Sequence, residues 1–547
     1  MELTSVGLGV LFSYWHNALF SALQQLDQSK FVRLLFSFPI LVVITVIVTV
    51  GKGCVAQLFE LQWRCWLTHH FLDNYLAKCA YYRLPFVTSR DDNPDQKISV
   101  DIGSYINHTC HLTIGGLQAI VSFISHIFIL WSLSDVIKLH VTQHFSCSIR
   151  GDLVWIAIIC AGLGTLLTHR IGHNLAQLHC EQERHEANFR YELARLRDHV
   201  ESVALYRGEP DECNSFKTLF SALMSNFHEI MRYSLAMNCF SYSFTQLSDI
   251  IPYLIVSARY FSKRITLGDL TQIRSSFGYV QLSLLFIITS YPRIAQWRAA
   301  TKRLVDLDNT LTDLHTAQQN SNIRIIHTSN EQNIQIEGLT VQFPPKNTLD
   351  RPEILIDNFN WVSELHQHVF ITGKSGCGKS TLLRSLAGIW PYGRGTIIMP
   401  PRDTMEFVPQ KPYCPLGSLR RCLTYPSTMP LSSTSDAKIK RLLRLCQLES
   451  LANRLNDSKD WSLVLSSGEQ QKMNFVRVLL HRPKWIFLDE VTSSLDESSE
   501  RHLYSSLFHK LGHYSTIISV GHRETVRQFH QIQLQCVDRQ IIRIDIL

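Results

Sequence analysis

Apolar residues in the first half of the chain come in long unbroken runs rather than in stripes. Residues 34–50 (LLFSFPILVVITVIVTV), 112–133, 153–168 and 275–292 contain no Asp, Glu, Lys or Arg. Residues 3–26 add only His16, and 233–258 only Asp249. A helix of about 20 mostly apolar residues crosses the hydrocarbon core of a bilayer. The pattern therefore predicts six membrane-spanning helices. Six buried helices of a soluble fold in so short a stretch would leave too little polar surface. The N-terminus lacks a basic region followed by a short apolar core and a small-residue cleavage site, so no removable signal peptide is read.

The polar connections alternate between short (27–33, 135–152, 259–274) and long (59–111, 169–232). The long ones carry Arg64, Lys78, Arg83, Arg90 and Lys97, and Arg184, Arg190, Arg195, Arg197 and Arg207. Positive-inside bias places both in the cytosol. Arg259, Lys263, Arg264 and Arg274 run against that bias, and the even number of spans together with the soluble second half decides the topology. Within 181–209, Phe189, Leu193, Leu196, Val200 and Val203 recur at spacings of four and three. That is the stripe of an amphipathic helix, so the fourth span is expected to continue into the cytosol.

From Asn333 onward the pattern changes to short strands alternating with helices. The chain divides into a membrane domain, 1–305, a linker, 306–332, and a soluble α/β domain, 333–547. Composition adds little: 45% hydrophobic and 18% charged residues average two unlike halves. A net charge of +7 fits basic residues beside spans better than a nucleic-acid partner, and none is expected. The 14 cysteines form no CxxC pair, which points to reduced packing residues.

The soluble half carries the chemistry. HVFITGKSGCGKSTLLRSLAGIW reads as a strand, a glycine-rich turn and a helix. Gly373, Gly378, Lys379 and Ser380 fit GxxxxGK[ST], with Lys374, Ser375, Gly376 and Cys377 in the turn and Thr381 after it. In such a loop, backbone N–H groups cradle phosphate, the lysine reaches the outer phosphates and the serine takes Mg²⁺. KWIFLDEVTSSLD is an apolar strand ending in two carboxylates. Asp489 is placed to hold Mg²⁺ and Glu490 to polarise an attacking water. ATP and Mg²⁺ are thus the expected ligands.

Between these elements lies LSSGEQQK, which resembles the signature of ATP-binding cassette proteins, with Ser467 where glycine is usual and Glu469 where glutamine is frequent. Other elements follow in family order: Gln410 resembles the Q-loop, Ser493 to Asp496 the D-loop and His522 the switch histidine, and Phe343 stands where an aromatic stacks on adenine. NPDQKISVDI, QWRCWLTHHFLDNYL, NFRYELARLRDHVESVALYRGE and LGDLTQIRSSFGYVQ resemble the membrane half of subfamily D half-transporters. That group includes peroxisomal acyl-CoA and lysosomal cobalamin half-transporters and bacterial relatives handling cobalamin and peptide antibiotics. Its members usually carry a segment ahead of the first span, whereas this sequence begins almost inside it.

The resemblance implies an exporter-like helical membrane domain followed by a P-loop cassette. Glu490, His522 and Gln410 would be the catalytic set, with Ser380, Gln410 and Asp489 on Mg²⁺. Ser466, Ser467, Gly468 and Glu469 would face ATP bound by a second half-transporter, most simply another copy in a homodimer. Glu201 and Gly208, in the tail of the stripe, would couple cassette to spans. The implied function is ATP-driven movement of a bulky solute, cobalamin-like or peptide-like, in a bacterial-type plasma membrane with the cassette cytosolic. Acyl-CoA or another lipid-like substrate is the alternative, as is an ATP-gated channel or regulatory subunit; intact Glu490 and His522 argue against the last two. His169 and His173, followed by His179, Cys180 and His185, have metal-ligand spacing, although interfacial histidines beside a span explain them more simply. Asp249 reads either as a site for a cation or amine or as a residue meeting water at the outer interface.

Overall fold

The computed structural model describes residues 1–87, 93–142, 145–319, 321–328, 333–344, 353–426 and 435–545. Arg90 of the first long loop and parts of the expected linker (320 and 329–332) lie outside the described residues, as do the side chains of His169 and His173. The chain forms two compact units, residues 1–73 with 93–308 and residues 74–92 with 309–547.

The first unit is helical apart from one antiparallel strand pair, Val136–Thr142 with Phe145–Arg150. Its spans lie on α1 (Glu2–Gln24), α2 (Gln28–Leu76), α4 (Ile102–Leu133), α5 (Asp152–Asp198), α7 (Glu209–Phe261) and α8 (Leu267–Thr289), while α3 (Ala80–Val87) falls in the second unit. Apolar side chains on α2 point outward, Phe36 being 77% and Ile47 65% exposed, as expected of a surface that lipid covers. A 47-residue helix such as α5 is roughly 70 Å long at 1.5 Å per residue, far more than a bilayer needs. The second long connection is therefore helix rather than loop. It consists of the end of α5, the short α6 (Val200–Tyr206) and the start of α7. Phe189 of the amphipathic stripe meets Phe216 and Phe220 of α7, and Asn226 of α7 donates to the Leu178 carbonyl (3.0 Å) and to Gln182 (2.9 Å). The stripe thus closes a helical hairpin.

Several charged groups within this unit are paired. Arg259 binds Asp152, which also accepts the Asp135 backbone N–H (2.9 Å). Arg274 binds Asp249 at 3.0 Å, with both side chains nearly half exposed. α9 (Tyr291–Gln319) continues from α8 after a break at Ser290.

Among the described residues the cassette unit holds two large sheets and a two-stranded pairing of Gly417–Ser418 with Ser458–Lys459. The larger contains β1 (Val369–Gly373), β2 (Met405–Val408), β3 (Trp485–Asp489), β4 (Thr516–Val520), β5 (Ile532–Val537) and β6 (Gln540–Asp545), in the order β6-β5-β1-β4-β3-β2. All pairs but β5/β6 are parallel. A parallel sheet is covered on both faces, which is why its strands are continuous apolar runs: Trp485, Ile486 and Phe487 are fully buried, as is every residue of β4. A four-stranded sheet, built from Ile323–His327, Asn333–Gln342, Ile354–Glu364 and Gly393–Met399, packs its own apolar face into the same core. On this unit Phe86 of α3 lies 5.3 Å from the ring of Trp390. Arg83 donates to the carbonyls of Leu314 (3.1 Å) and Lys78 (2.9 Å).

Candidate functional site

The loop from Gly373 to Thr381 joins the end of β1 to α10 (Lys379–Leu386). Gly373 has φ +153°, and a Cβ there would stand 2.7 Å from the Cys536 carbonyl, so only glycine lets the loop pass β5. Gly376 and Gly378 also hold positive φ, which turns successive backbone N–H groups around one concavity. Lys379 is nearly buried and its Nζ donates to the carbonyls of Gly373 (2.9 Å) and Lys374 (3.0 Å), spanning the mouth of the loop. Cys377 receives a bond from the Cys536 thiol (3.2 Å), which ties the loop to β5. Ser375 lies in this turn, and Thr381 is buried in the first turn of α10.

β3 delivers both carboxylates to the same place. Ser380 Oγ donates to Asp489 Oδ1 at 2.9 Å. Burial pushes the Asp489 carboxyl above its ordinary range, and the adjacent Glu490 charge acts in the same direction, against the Ser380 bond. Glu490 is the next residue and takes φ +45°, a left-handed conformation unusual for a non-glycine residue. Gln410 Nε2 donates to Glu490 Oε2 (3.1 Å), and His522 Nε2 lies 3.3 Å from Glu490 Oε1. The structure thus brings Ser380, Asp489, Glu490, Gln410 and His522 together beside the phosphate loop. Phe343 is 42% exposed with its ring 6.2 Å from Trp390, just past the end of a strand whose partner places Leu355 against Gly378.

Ser466 to Glu469 lie elsewhere. Ser466 is the N-cap of α11 (Ser467–His481), where its side chain accepts the Glu469 N–H (3.3 Å). Glu469 in turn accepts the Ser466 N–H and hydroxyl (both 3.0 Å), a capping box that uses a glutamate. Gly468 faces Leu495, and Gln471 binds Ser493 (3.0 Å) and the Ser494 N–H (2.9 Å), which joins this helix to the 493–496 turn. Asp496 caps α12 (Glu497–Leu511); hydroxyl and backbone bonds from Ser498 and Ser499 hold its carboxyl far below the usual range.

Sequence reasoning missed Glu500. It is buried and accepts from Thr492 (2.5 Å) and Thr525 (2.6 Å), binding the segment after Glu490 to the segment after His522. Its signal was available, because Glu500 occupies the apolar stripe Leu503, Tyr504, Leu507, Leu511 of an amphipathic helix. Among the described residues there is no cluster of three or more metal-ligating side chains outside this site, and His179, Cys180 and His185 form none.

A helical membrane unit with six spans, followed by a phosphate loop, a carboxylate-ended strand and a separately capped signature helix, defines an ATP-binding cassette half-transporter. The comparisons agree. The model of ABC transporter transmembrane region 2 matches residues 1–261, and that of the ABC transporter cassette matches 356–493. An ABC transporter ATP-binding protein of Haemophilus influenzae is 32% identical over 98% of this chain and 87% of its own length. The human lysosomal cobalamin transporter is 26% identical over 93% of this chain and 85% of its own. A bacterial Atm1-family ABC exporter shares the fold, with a TM-score of 0.74 at 16% identity over 99% of this chain and 94% of that one. The chain belongs to the ATP-binding cassette transporter family, as a subfamily D-like half-transporter. It is an ATPase coupled to transmembrane movement of a solute.

Proposed function

We propose that two copies form a homodimer that moves a bulky solute, cobalamin-like or peptide-like, across a bacterial-type plasma membrane, with the cassettes in the cytosol. The observation that carries the reading is Glu490, held between Gln410 and His522 one residue from the Asp489–Ser380 pair. A cassette that only sensed nucleotide would have little need of that arrangement.

In the proposed cycle the loop N–H groups bind the phosphates of ATP, and Lys379 exchanges its two carbonyl partners for phosphate oxygens. Ser380, Asp489 and the carbonyl of Gln410 form an all-oxygen donor set that fits Mg²⁺, which when bound neutralises phosphate charge. Glu490 takes a proton from the attacking water, His522 contacts the terminal phosphate and Gln410 reports its presence. Ser466, Ser467, Gly468 and Glu469 serve the nucleotide of the second subunit. Phe343 stacks on the adenine. Closure and reopening of the cassettes bias the spans between two access states.

α6 is the proposed transmission element. Its Leu205 and Tyr206 are 77% and 87% exposed, an apolar face left for protein. Replacing Glu201 or Gly208 by alanine is expected to leave ATP binding intact and to cut transport per ATP by about tenfold, the upper range for a residue acting only through coupling. Unchanged transport stoichiometry would count against this role. The function itself is tested in proteoliposomes by vanadate-sensitive ATPase activity and uptake of radiolabelled cobalamin, set beside stimulation by acyl-CoA. ATP binding without turnover would favour the regulatory reading, and stimulation by acyl-CoA alone the lipid-like substrate.

A further inference from the structure

Within the membrane unit α1, α4, α8 and the start of α9 enclose a cavity of about 660 Å³. That volume lies within the roughly 300–1,000 Å³ range of small-molecule sites. Small residues make the space. Gly115 faces Phe286, and a Cβ there would stand 2.9 Å from that ring, so the aromatic lies against the helix backbone and His111 stacks parallel to it at 6.2 Å. The wall is polar where lipid-facing helices have no use for polarity: Ser122, His126, Tyr279 and Ser283 all line it. His126 is 1% exposed and its ring lies 4.3 Å from Tyr279. Its Nδ1 meets the Ser122 carbonyl at 3.0 Å, while its Nε2 has no partner among the described residues. A buried ring nitrogen without a partner costs stability unless something else satisfies it.

Among the described residues one formal charge lines this cavity, the guanidinium of Arg293 in the first turn of α9. It has no ion pair among the described residues. The acids of neighbouring elements are otherwise engaged: Glu2 binds Lys52, and Glu183 accepts from Gln296 (3.3 Å). A forked donor with no carboxylate, at one end of a hydrogen-bonding cavity, matches a carboxylate or phosphate.

We infer that this cavity takes the anionic end of the transported solute, with Arg293 on the carboxylate or phosphate and the His126–Tyr279 end on hydrogen-bonding groups of its body. The inference rests on the transporter reading and adds the substrate class: a solute with a negative terminus rather than a neutral or cationic one.

The test measures binding to the full-length protein in lipid nanodiscs without nucleotide. Two pairs are compared: N-acetyl-tetra-alanine with its C-terminal amide, and octanoyl-CoA with octanoyl-pantetheine. In at least one pair the anionic member should bind about tenfold or more tightly, the scale of a charge-assisted bond. Preference in the peptide pair identifies carboxylate, and in the CoA pair phosphate. Arg293→Gln should bring that ratio close to one, and Arg293→Lys should keep part of it. Ser122→Leu, which narrows the cavity without altering Arg293, should weaken both members of the pair and so decides the matter even if Arg293→Gln does not fold. Equal binding within both pairs, or a preference that survives Arg293→Gln, overturns the inference. Loss of ATPase activity in the wild type would instead sink the transporter reading and leave the binding ratios standing.

Discussion

Glu490→Gln is expected to bind ATP normally and to lose steady-state ATPase activity by about 10²–10⁴-fold, the usual contribution of a positioned general base. The amide is nearly isosteric: its oxygen can keep the bond from Gln410 Nε2 while its NH2 donates to His522 Nε2 in the other imidazole tautomer, and the β3 end should hold its shape. What it loses is the capacity to take a proton from water. Lys379, Ser380 and Asp489 remain, so phosphate binding survives. The effect should therefore fall on turnover rather than on nucleotide affinity. Unchanged turnover would remove Glu490 from its proposed role.

Acid is expected to destabilise the cassette. Burial holds the His368 imidazole down to about 4 and His530 down to about 3. At His368 a hydrogen bond favours the same neutral form, whereas at His530 burial outweighs the opposing bond to the Val526 carbonyl. His368 Nδ1 accepts the Ile517 N–H (3.2 Å) and would meet donor with donor if protonated. His530 bridges the Val526 carbonyl (2.9 Å) and the Ser519 hydroxyl (3.0 Å). Phe508 packs edge-on to both rings. Both folded values lie below the ordinary histidine value of about 6.5, so the unfolded chain binds more protons below that pH. Stability is complete above about 6.5 and falls with acid, by about 1.4 kcal/mol per pH unit for each histidine, until the folded values are reached. His481 has the opposite sign: its bond to Glu406 raises it, so its contribution is complete below about 6.5 and disappears only as pH rises above. It cannot offset the acid loss. Thermal melting of the cassette transition from pH 7.5 to 5 should show a steep fall that His530→Gln makes shallower; a flat profile would contradict the assignment.

Much of this was legible because its signals are local. Uncharged runs of about 20 residues mark spans wherever they lie. The phosphate loop and the strand-end carboxylates are short contiguous patterns with one physical use. The stripe from Phe189 to Val203 announced a helix, and the structure supplies its cover, Phe216 and Phe220. What stayed hidden depends on groups distant in sequence. Nothing around Asp249 indicates that Arg274 reaches it from the next helix. Nothing in residues 80–87 announces that Phe86 will pack on Trp390, because an aromatic beside a basic residue reads equally well as membrane interface. The first long connection carries no such stripe, yet α2 runs on through its residues 59–76.

Glu469 was noticed only as a departure from the usual glutamine, and its bonds give it a physical meaning. The N–H and hydroxyl of Ser466 are already engaged by that carboxylate within the same chain. If Ser466 serves the nucleotide of the second subunit, the incoming phosphate does not dock on vacant donors but competes with an anion for them. Closure then begins with an exchange of counter-charges, and the resting dimer is biased toward staying apart until the phosphate outbids the protein's own carboxylate.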